Sequence, residues 1–212
     1  MVVALAVTRN RRYMRKAHVF MTLSLDGYFE GPNRDISWRN VDHEFNEFAI
    51  EQLREADLLL FGRRTFSSWE ASWPKAAKDR ATSKENLEIA KPIKNTNKIV
   101  FSRTLDKVQE TENWKSVQLV HEFDPGAIRC LKEQPGKNIW VGGSNLALSF
   151  IGTDLIDEFR FMINPVIGEG HPIFEGMKIK LNLELIKRRR FDSGNILLHY
   201  KRAKKEVMKS AR

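Results

Sequence analysis

Short apolar runs alternate along the chain with longer amphipathic stretches, and that alternation sets the first expectation. Apolar runs bounded by turn residues predict strands at "AHVFMTLSLDG" (Ala17 to Gly27), "ADLLLFG" (Ala56 to Gly62), "NKIVFSR" (Asn97 to Arg103), "SVQLVHE" (Ser116 to Glu122), Ile139-Trp140-Val141 and "DEFRFMINPVI" (Asp157 to Ile167). Between them the period lengthens to that of a helix. One helix is expected from a cap at Asn40 to about Ala56, and one after Asp124, with Pro125 at its first position, to about Gln134. A third begins at Ser144, ahead of Leu146, Leu148, Phe150 and Ile151. "RRTFSSW" opens a further helix or turn, and residues 70–95 read as polar and irregular with some helix. "YFEGPNRDISW" and "GEGHPIFEG" read as loops. "LNLELIKRRRF" and "NILLHYKRA" flank "DSG" and read as a closing hairpin. The whole predicts one α/β domain whose sheet is mostly parallel, with antiparallel strands at the C-terminal edge.

Composition narrows the class. The 42% hydrophobic and 30% charged residues exclude a disordered chain. No apolar run approaches the ~20 residues that span a bilayer. A single cysteine, Cys130, excludes an internal disulfide and any multi-cysteine zinc site, which makes a cytosolic setting the default. The net charge of +9 sits at the ends: residues 1–16 hold five Lys/Arg and no acid, and residues 201–212 hold six and one acid. The expected organisation is a basic extension over 1–16, a domain over 17–201 and a basic tail over 202–212, with Met14 as an alternative start. The apolar patch of the N-terminus precedes its charges, the reverse of a signal peptide. A nucleic-acid binder carries its basic face on the fold itself, so charge confined to the tails argues against that partner.

Candidate chemistry lies where the predicted parallel strands end, because open α/β sheets bind ligands outside the carboxyl ends of their strands. Gly62-Arg63-Arg64-Thr65, Ser102-Arg103-Thr104 and Gly142-Gly143-Ser144-Asn145 follow three such ends. Paired glycines at a strand-to-helix joint let a group approach bare backbone, and a helix start attracts anions. Arginine forks match phosphate oxygens. Together these ends point to a ligand with several phosphates, and the extra arginines to a 2′-phosphate. Taken singly they are ordinary turns and surface charges. Neither a G-x-G-x-x-G nor a P-loop motif is present. On the helix expected from Asn40, Asp42 falls within the apolar arc of Val41, Phe45, Phe48, Ala49 and Leu53. That surrounding predicts a raised pKa and a proton donor, or else a plain first-turn acid. Trp38 either lids a flat ring or pins its loop; Asp26 either touches substrate or shapes the turn before Gly27. The histidines show no metal-ligand spacing, and no metal is expected. The run from Lys187 to Arg190 reads as the solvated part of a hairpin strand.

In their order, "VFMTLSLDGYFEGP", Trp38 with Asp42 and Phe45, "LLLFGRRTF", "KIVFSR" and "IWVGGSNLALSFI…LIDEFRFMINPVIGEGHPIF" resemble the dihydrofolate-reductase-like superfamily. The nearer branch resembles the C-terminal reductase domain of the bifunctional riboflavin-biosynthesis deaminase-reductase. The resemblance covers about Ala17 to Lys201. It implies a three-layer α/β sandwich, a homodimer, and NADPH as hydride donor. It places Gly62 to Thr65 and Ser102-Arg103 by the adenosine phosphates and Gly142 to Asn145 at the pyrophosphate. It makes Asp42 the nearest match to the acid that assists substrate protonation, one residue short of the usual spacing from the loop tryptophan. It implies reduction of a substrate similar to 5-amino-6-(5-phosphoribosylamino)uracil. A dihydrofolate or pterin reductase, and a nucleotide-binding module without catalysis, are the alternatives. The zinc deaminase half of the riboflavin enzyme has no counterpart here.

Overall fold

Every apolar run expected to be a strand is one in the computed structural model, which describes residues 14–79 and 81–203. In chain order the strands are β1 (Ala17–Ser24), β2 (Tyr28–Glu30), β3 (Ala56–Gly62), β4 (Asn97–Phe101), β5 (Val117–Val120), β6 (Asn138–Gly142), β7 (Glu158–Asn164), β8 (His171–Pro172), β9 (Leu183–Arg190) and β10 (Ile196–Arg202). The helices are α1 (His43–Glu55), α2 (Arg63–Ala76), α3 (Lys84–Asn95), α4 (Pro125–Glu133) and α5 (Ser144–Gly152).

Eight strands form one sheet in the order β5-β4-β3-β6-β1-β7-β10-β9. Pairing is parallel from β5 to β7 and antiparallel for β7–β10 and β10–β9. The strands in the middle are apolar on both faces because both faces are covered. In β3, Leu58 and Leu60 face the layer of α4 and α5, whereas Leu59 and Phe61 face the layer of α1, α2 and α3. The result is the expected three-layer arrangement. Phe48, Met162, Phe191 and Leu197 extend the α1 side toward the antiparallel edge.

Four details differ from the sequence expectation. Helix α1 starts at His43, not after Asn40, because the Asp42 side chain accepts from the Phe45 N–H and closes the first turn. The span 70–95 is more ordered than its polarity suggests: α2 runs on to Ala76, and α3 is capped by Ser83. The loops around Glu30 and His171 pair as a short β2–β8 ribbon. Gly170 permits this, since a Cβ there would fall 2.0 Å from the Glu30 carbonyl oxygen. Residues 14–16, placed by charge in the basic extension, are tied to the domain: Arg15 is buried and pairs with Asp57, and its N–H donates to Lys132 O at 2.8 Å. The rest of that extension, residues 1–13, and the tail from 204 to 212 lie outside the described residues.

A charged network occupies the end of the sheet where β1 and β7 begin. Glu158 is buried and takes Lys16 at 2.7 Å, Arg160 at 2.9 Å and the His199 ring at 3.0 Å. Arg160 reaches on to Glu55 at 2.8 Å and to Gln52, both in the last turns of α1. His18 sits beside it with no exposed surface, its ring 5.9 Å from Trp140 and neither nitrogen hydrogen-bonded among the described residues. Burial, then the Arg160 charge, push the His18 imidazole down to about 3. Glu158 is held well below the carboxylate range because its donors from His199, Lys16 and Arg160 together outweigh desolvation.

Both shifts act in one direction. His18 stays neutral in the fold but gains a proton on unfolding below its ordinary 6.5, and Glu158 stays charged where the unfolded carboxyl would protonate. Stability is therefore complete above about pH 7.5 and falls as pH drops toward 3, by on the order of 3 kcal/mol at pH 4 from His18 alone. Thermal melts of His18→Leu between pH 4 and 8 should give a flatter profile than the parent. An equally steep profile would remove His18 from this account.

Candidate nucleotide-binding rim

Strands β4, β3 and β6 are neighbours, so the three turns picked out in the sequence share one edge of the sheet. Helices α2 and α5 start directly at the ends of β3 and β6, one on each side of the sheet. Their caps are Gly62 and Gly143, and neither helix has a side-chain cap. The other three helices do, from Asp42, Ser83 and Asp124. The first-turn N–H groups of α2 and α5 are thus left for an outside acceptor. Gly143 has φ +101°, and a Cβ there would sit 2.7 Å from Thr65 Oγ1. The two turns therefore meet where no side chain fits, leaving backbone as the surface a ligand would touch.

The arginines divide by role. Arg63 donates to the Thr104 hydroxyl, tying the β3 turn to the β4 turn. Arg64 and Arg103 are exposed and make no hydrogen bond or ion pair with any described residue. Asn145 is exposed at the start of α5, next to half-buried Ser144. Ser102 is buried, and its hydroxyl accepts from the N–H groups of Thr104 at 3.2 Å and Leu105 at 3.0 Å. It shapes the turn that presents Arg103.

Along the same edge, beyond β6, lie the ends of β1 and β7 and the segment leading into α1. The structure corrects the electrostatics expected of Asp42. Val41 precedes the helix and is 55% exposed, so the apolar arc does not enclose the carboxylate. The Phe45 N–H, at 2.8 Å, holds Asp42 below the usual carboxylate range, the opposite of the expected direction. Trp38 is half-buried, and its indole N–H donates to Asp35 O at 3.1 Å. Asp26 accepts from the Ser24 hydroxyl at 2.6 Å and the Gly168 N–H at 3.2 Å, which lower its pKa and brace the loop after β7.

Sequence reasoning missed Asn164 and Asn195 and gave Asn40 the role of a helix cap, and these three asparagines set this half of the rim. Asn164, fully buried at the end of β7, accepts from the Asn40 N–H at 2.8 Å. Asn195, at the start of β10, donates to the Asn40 carbonyl at 2.9 Å. Asn40 itself donates to Ser193 O at 3.1 Å. The segment before α1 therefore hangs from the sheet by both its backbone polar groups. The available signal was an asparagine directly beside the apolar runs "FMI" and "ILL", a costly placement unless it is bonded.

Comparison with known proteins follows the same lines. The family model of the RibD C-terminal domain matches residues 15–197. The uncharacterized protein YyaP of Bacillus subtilis (strain 168) is 34% identical over 195 residues, covering 90% of this chain and 97% of that one. Solved structures share the fold, the following two among them. The diaminohydroxyphosphoribosylaminopyrimidine deaminase/5-amino-6-(5-phosphoribosylamino)uracil reductase of Thermotoga maritima superposes with a TM-score of 0.61 at 16% identity, over 90% of this chain and 57% of that one. Dihydrofolate reductase of Enterococcus faecalis, complexed with NADP(H), gives 0.59 at 14% identity, over 91% and 99%.

Two substitutions test the geometry. Gly143→Ala should cost about 1–3 kcal/mol in urea unfolding, from positive φ and the clash with Thr65. Adding Thr65→Ala removes the hydroxyl and leaves the next contact at 3.6 Å, so part of the loss should return. No recovery would mean that the contact is not the constraint. Asp42→Ala should cost about 1 kcal/mol and Asp42→Asn much less, since asparagine also caps. Equal losses would count against the cap.

Proposed function

The chain belongs to the RibD C-terminal domain family, and from that premise we propose that it is an NADPH-dependent reductase of a small heterocycle. The observation that carries the proposal is the pairing of two uncapped helix starts on adjacent strands with two unengaged arginines beside them. A bare-backbone cradle, N–H donors and guanidinium groups are what a dinucleotide with an added phosphate requires. Gly142, Gly143, Ser144 and Asn145 would hold the pyrophosphate. Gly62, Arg63, Arg64 and Thr65, with Ser102 and Arg103, would hold the adenosine side, with Arg64 and Arg103 reaching the 2′-phosphate. The NADP(H) complex of the Enterococcus faecalis reductase lends support through the shared fold.

NADPH, when bound, supplies a hydride. Reduction of a C=N or C=O group takes that hydride on carbon and one proton on nitrogen or oxygen, so the chain's own residues must orient the ring and admit a proton. Asp42 is ionised at neutral pH and capped to α1, which fits an acid that orients substrate or water better than one that stores a proton. Trp38 and Asp26 would bound the substrate side.

The proposal extends to a homodimer in the cytosol. Leu185, Ile186 and Ile196 are exposed on the β9–β10 edge, apolar surface that a second copy would cover. Among the described residues no helix is long and apolar enough to cross a membrane.

A titration with NADPH, NADH and NADP⁺, followed by tryptophan-to-nicotinamide energy transfer, tests the cofactor. NADPH should bind at least about tenfold more tightly than NADH, and Arg64→Ala with Arg103→Ala should erase that preference. Failure of all three to bind would leave the glycines and arginines as structural features.

A further inference from the structure

The edge formed by the ends of β3, β4 and β6 continues onto a fourth strand. β5 lies beside β4 with Val120 level with Phe101, and the Ser102 N–H donates to the Val120 carbonyl at 3.0 Å. His121 is the first residue past β5, so it stands on the same edge as the turns assigned to the cofactor. Its ring Nδ1 lies 2.9 Å from the Ser102 carbonyl oxygen. A carbonyl only accepts, so Nδ1 carries a hydrogen whatever the charge of the ring. This bond ties β5 to the β4 turn, as Arg63 ties β3 to the same turn through the Thr104 hydroxyl. The residue is exposed, and its Nε2 makes no hydrogen bond or ion pair with any described residue.

A histidine fixed through Nδ1 offers Nε2 in two states, an acceptor when the ring is neutral and a charged donor when it is protonated. NAD(H) and NADP(H) differ in matching terms. The ribose 2′-hydroxyl can donate to a neutral ring, whereas an ionised 2′-phosphate requires a donor. The charged groups on the segments around His121 are Arg103 on the β4 turn, Arg63 at Thr104, Asp106 and Lys107 after that turn, and Glu122 and Asp124 on its own segment. Asp124 is engaged in capping α4, accepting from the Gly126 N–H at 2.7 Å. Phe123 packs against Phe101 and Phe150, which turns the chain into the α4–α5 layer, and Arg129 on α4 is bonded to the Thr153 carbonyl. Ahead of α4, cations and carboxylates are equal in number. What distinguishes the spot is therefore a directed N–H, not a net field.

Resting on the cofactor reading, we infer that His121 is a further residue of the 2′-phosphate subsite, donating from Nε2 when protonated, and that the preference for NADP(H) over NAD(H) weakens as pH rises through the titration of its ring. Arg64 and Arg103 supply charge that does not vary with pH; His121 supplies the part that does.

The test begins with NADP⁺ binding at about pH 6 and about pH 8, which judges the cofactor reading by itself. Absence of binding at both overturns that reading and this inference with it. Where NADP⁺ binds, the imidazole C2–H of His121, identified as the resonance lost in His121→Gln, is followed by NMR against pH in the free protein and with NADP⁺ or NAD⁺ added. NADP⁺ should raise its titration midpoint by at least about 0.5 pH unit, which by linkage is about threefold in affinity, and NAD⁺ should raise it less. A midpoint that NADP⁺ leaves in place, or that NAD⁺ raises as much, overturns the inference and leaves the cofactor reading standing. In step with this, His121→Gln should lose at least about threefold in NADP⁺ affinity at the lower pH and less at the higher. An equal loss at both would make His121 a tie for the Ser102 turn and nothing more.

Discussion

The close approach of Gly143 to Thr65 is the constraint on which the candidate site depends. The parallel register sets Phe61 beside Gly142, so β3 and β6 end at the same level although some eighty residues separate them. Each strand passes directly into a helix, and the helices leave on opposite sides of the sheet. Two such turns can touch only if one of them lacks a side chain and takes a positive φ. Gly143 meets both conditions, and the cost of that strained joint is two helix starts with open donors at one point. Arg63, bonded across to Thr104, draws the β4 turn into the same assembly.

The second half of the rim is positioned by α1, which is fixed at both ends by buried polar groups. Arg160, itself paired with Glu158, holds its C-terminal turns, and the Asn164 and Asn195 amides hold the segment before its cap. Breaking one of these buried bonds leaves its partner unsatisfied, so each acts as a register pin for the helix. A slip of α1 would break one set or the other. That rigidity keeps Asp42 at a defined place along the rim, and its role as a cap keeps it charged.

Much of this was legible in sequence, for a simple reason. A sheet covered on both faces makes its strands read as continuous apolar runs, and ligand chemistry follows the C-terminal ends of those runs. Gly62, Arg64, Arg103 and Gly143 could therefore be found by position. Asp42 could be found but not understood. Asn40 and Asp42 are both good cap residues, and starting the helix two residues early rotates the carboxylate into the apolar arc and inverts its expected pKa. Helix α3 was obscured by its polar face and by Pro92 within it. The part Ser102 plays in shaping its turn was not legible, because the bonds its hydroxyl accepts from Thr104 and Leu105 depend on the turn's path. The asparagine hooks and the His18–Glu158–Arg160 network join residues more than a hundred positions apart, which no local pattern reveals.

The central claim is that the ends of β3, β4 and β6 form one anion-binding surface for a phosphate-bearing nucleotide. The most direct measurement is amide chemical-shift mapping of the protein during addition of NADP⁺. The account predicts that the largest changes fall together on residues 62–65, 102–104 and 143–146, with Ser144, Asn145 and Leu146 shifting as hydrogen-bond donors. Saturable changes elsewhere on the fold, with these turns unmoved, would contradict it.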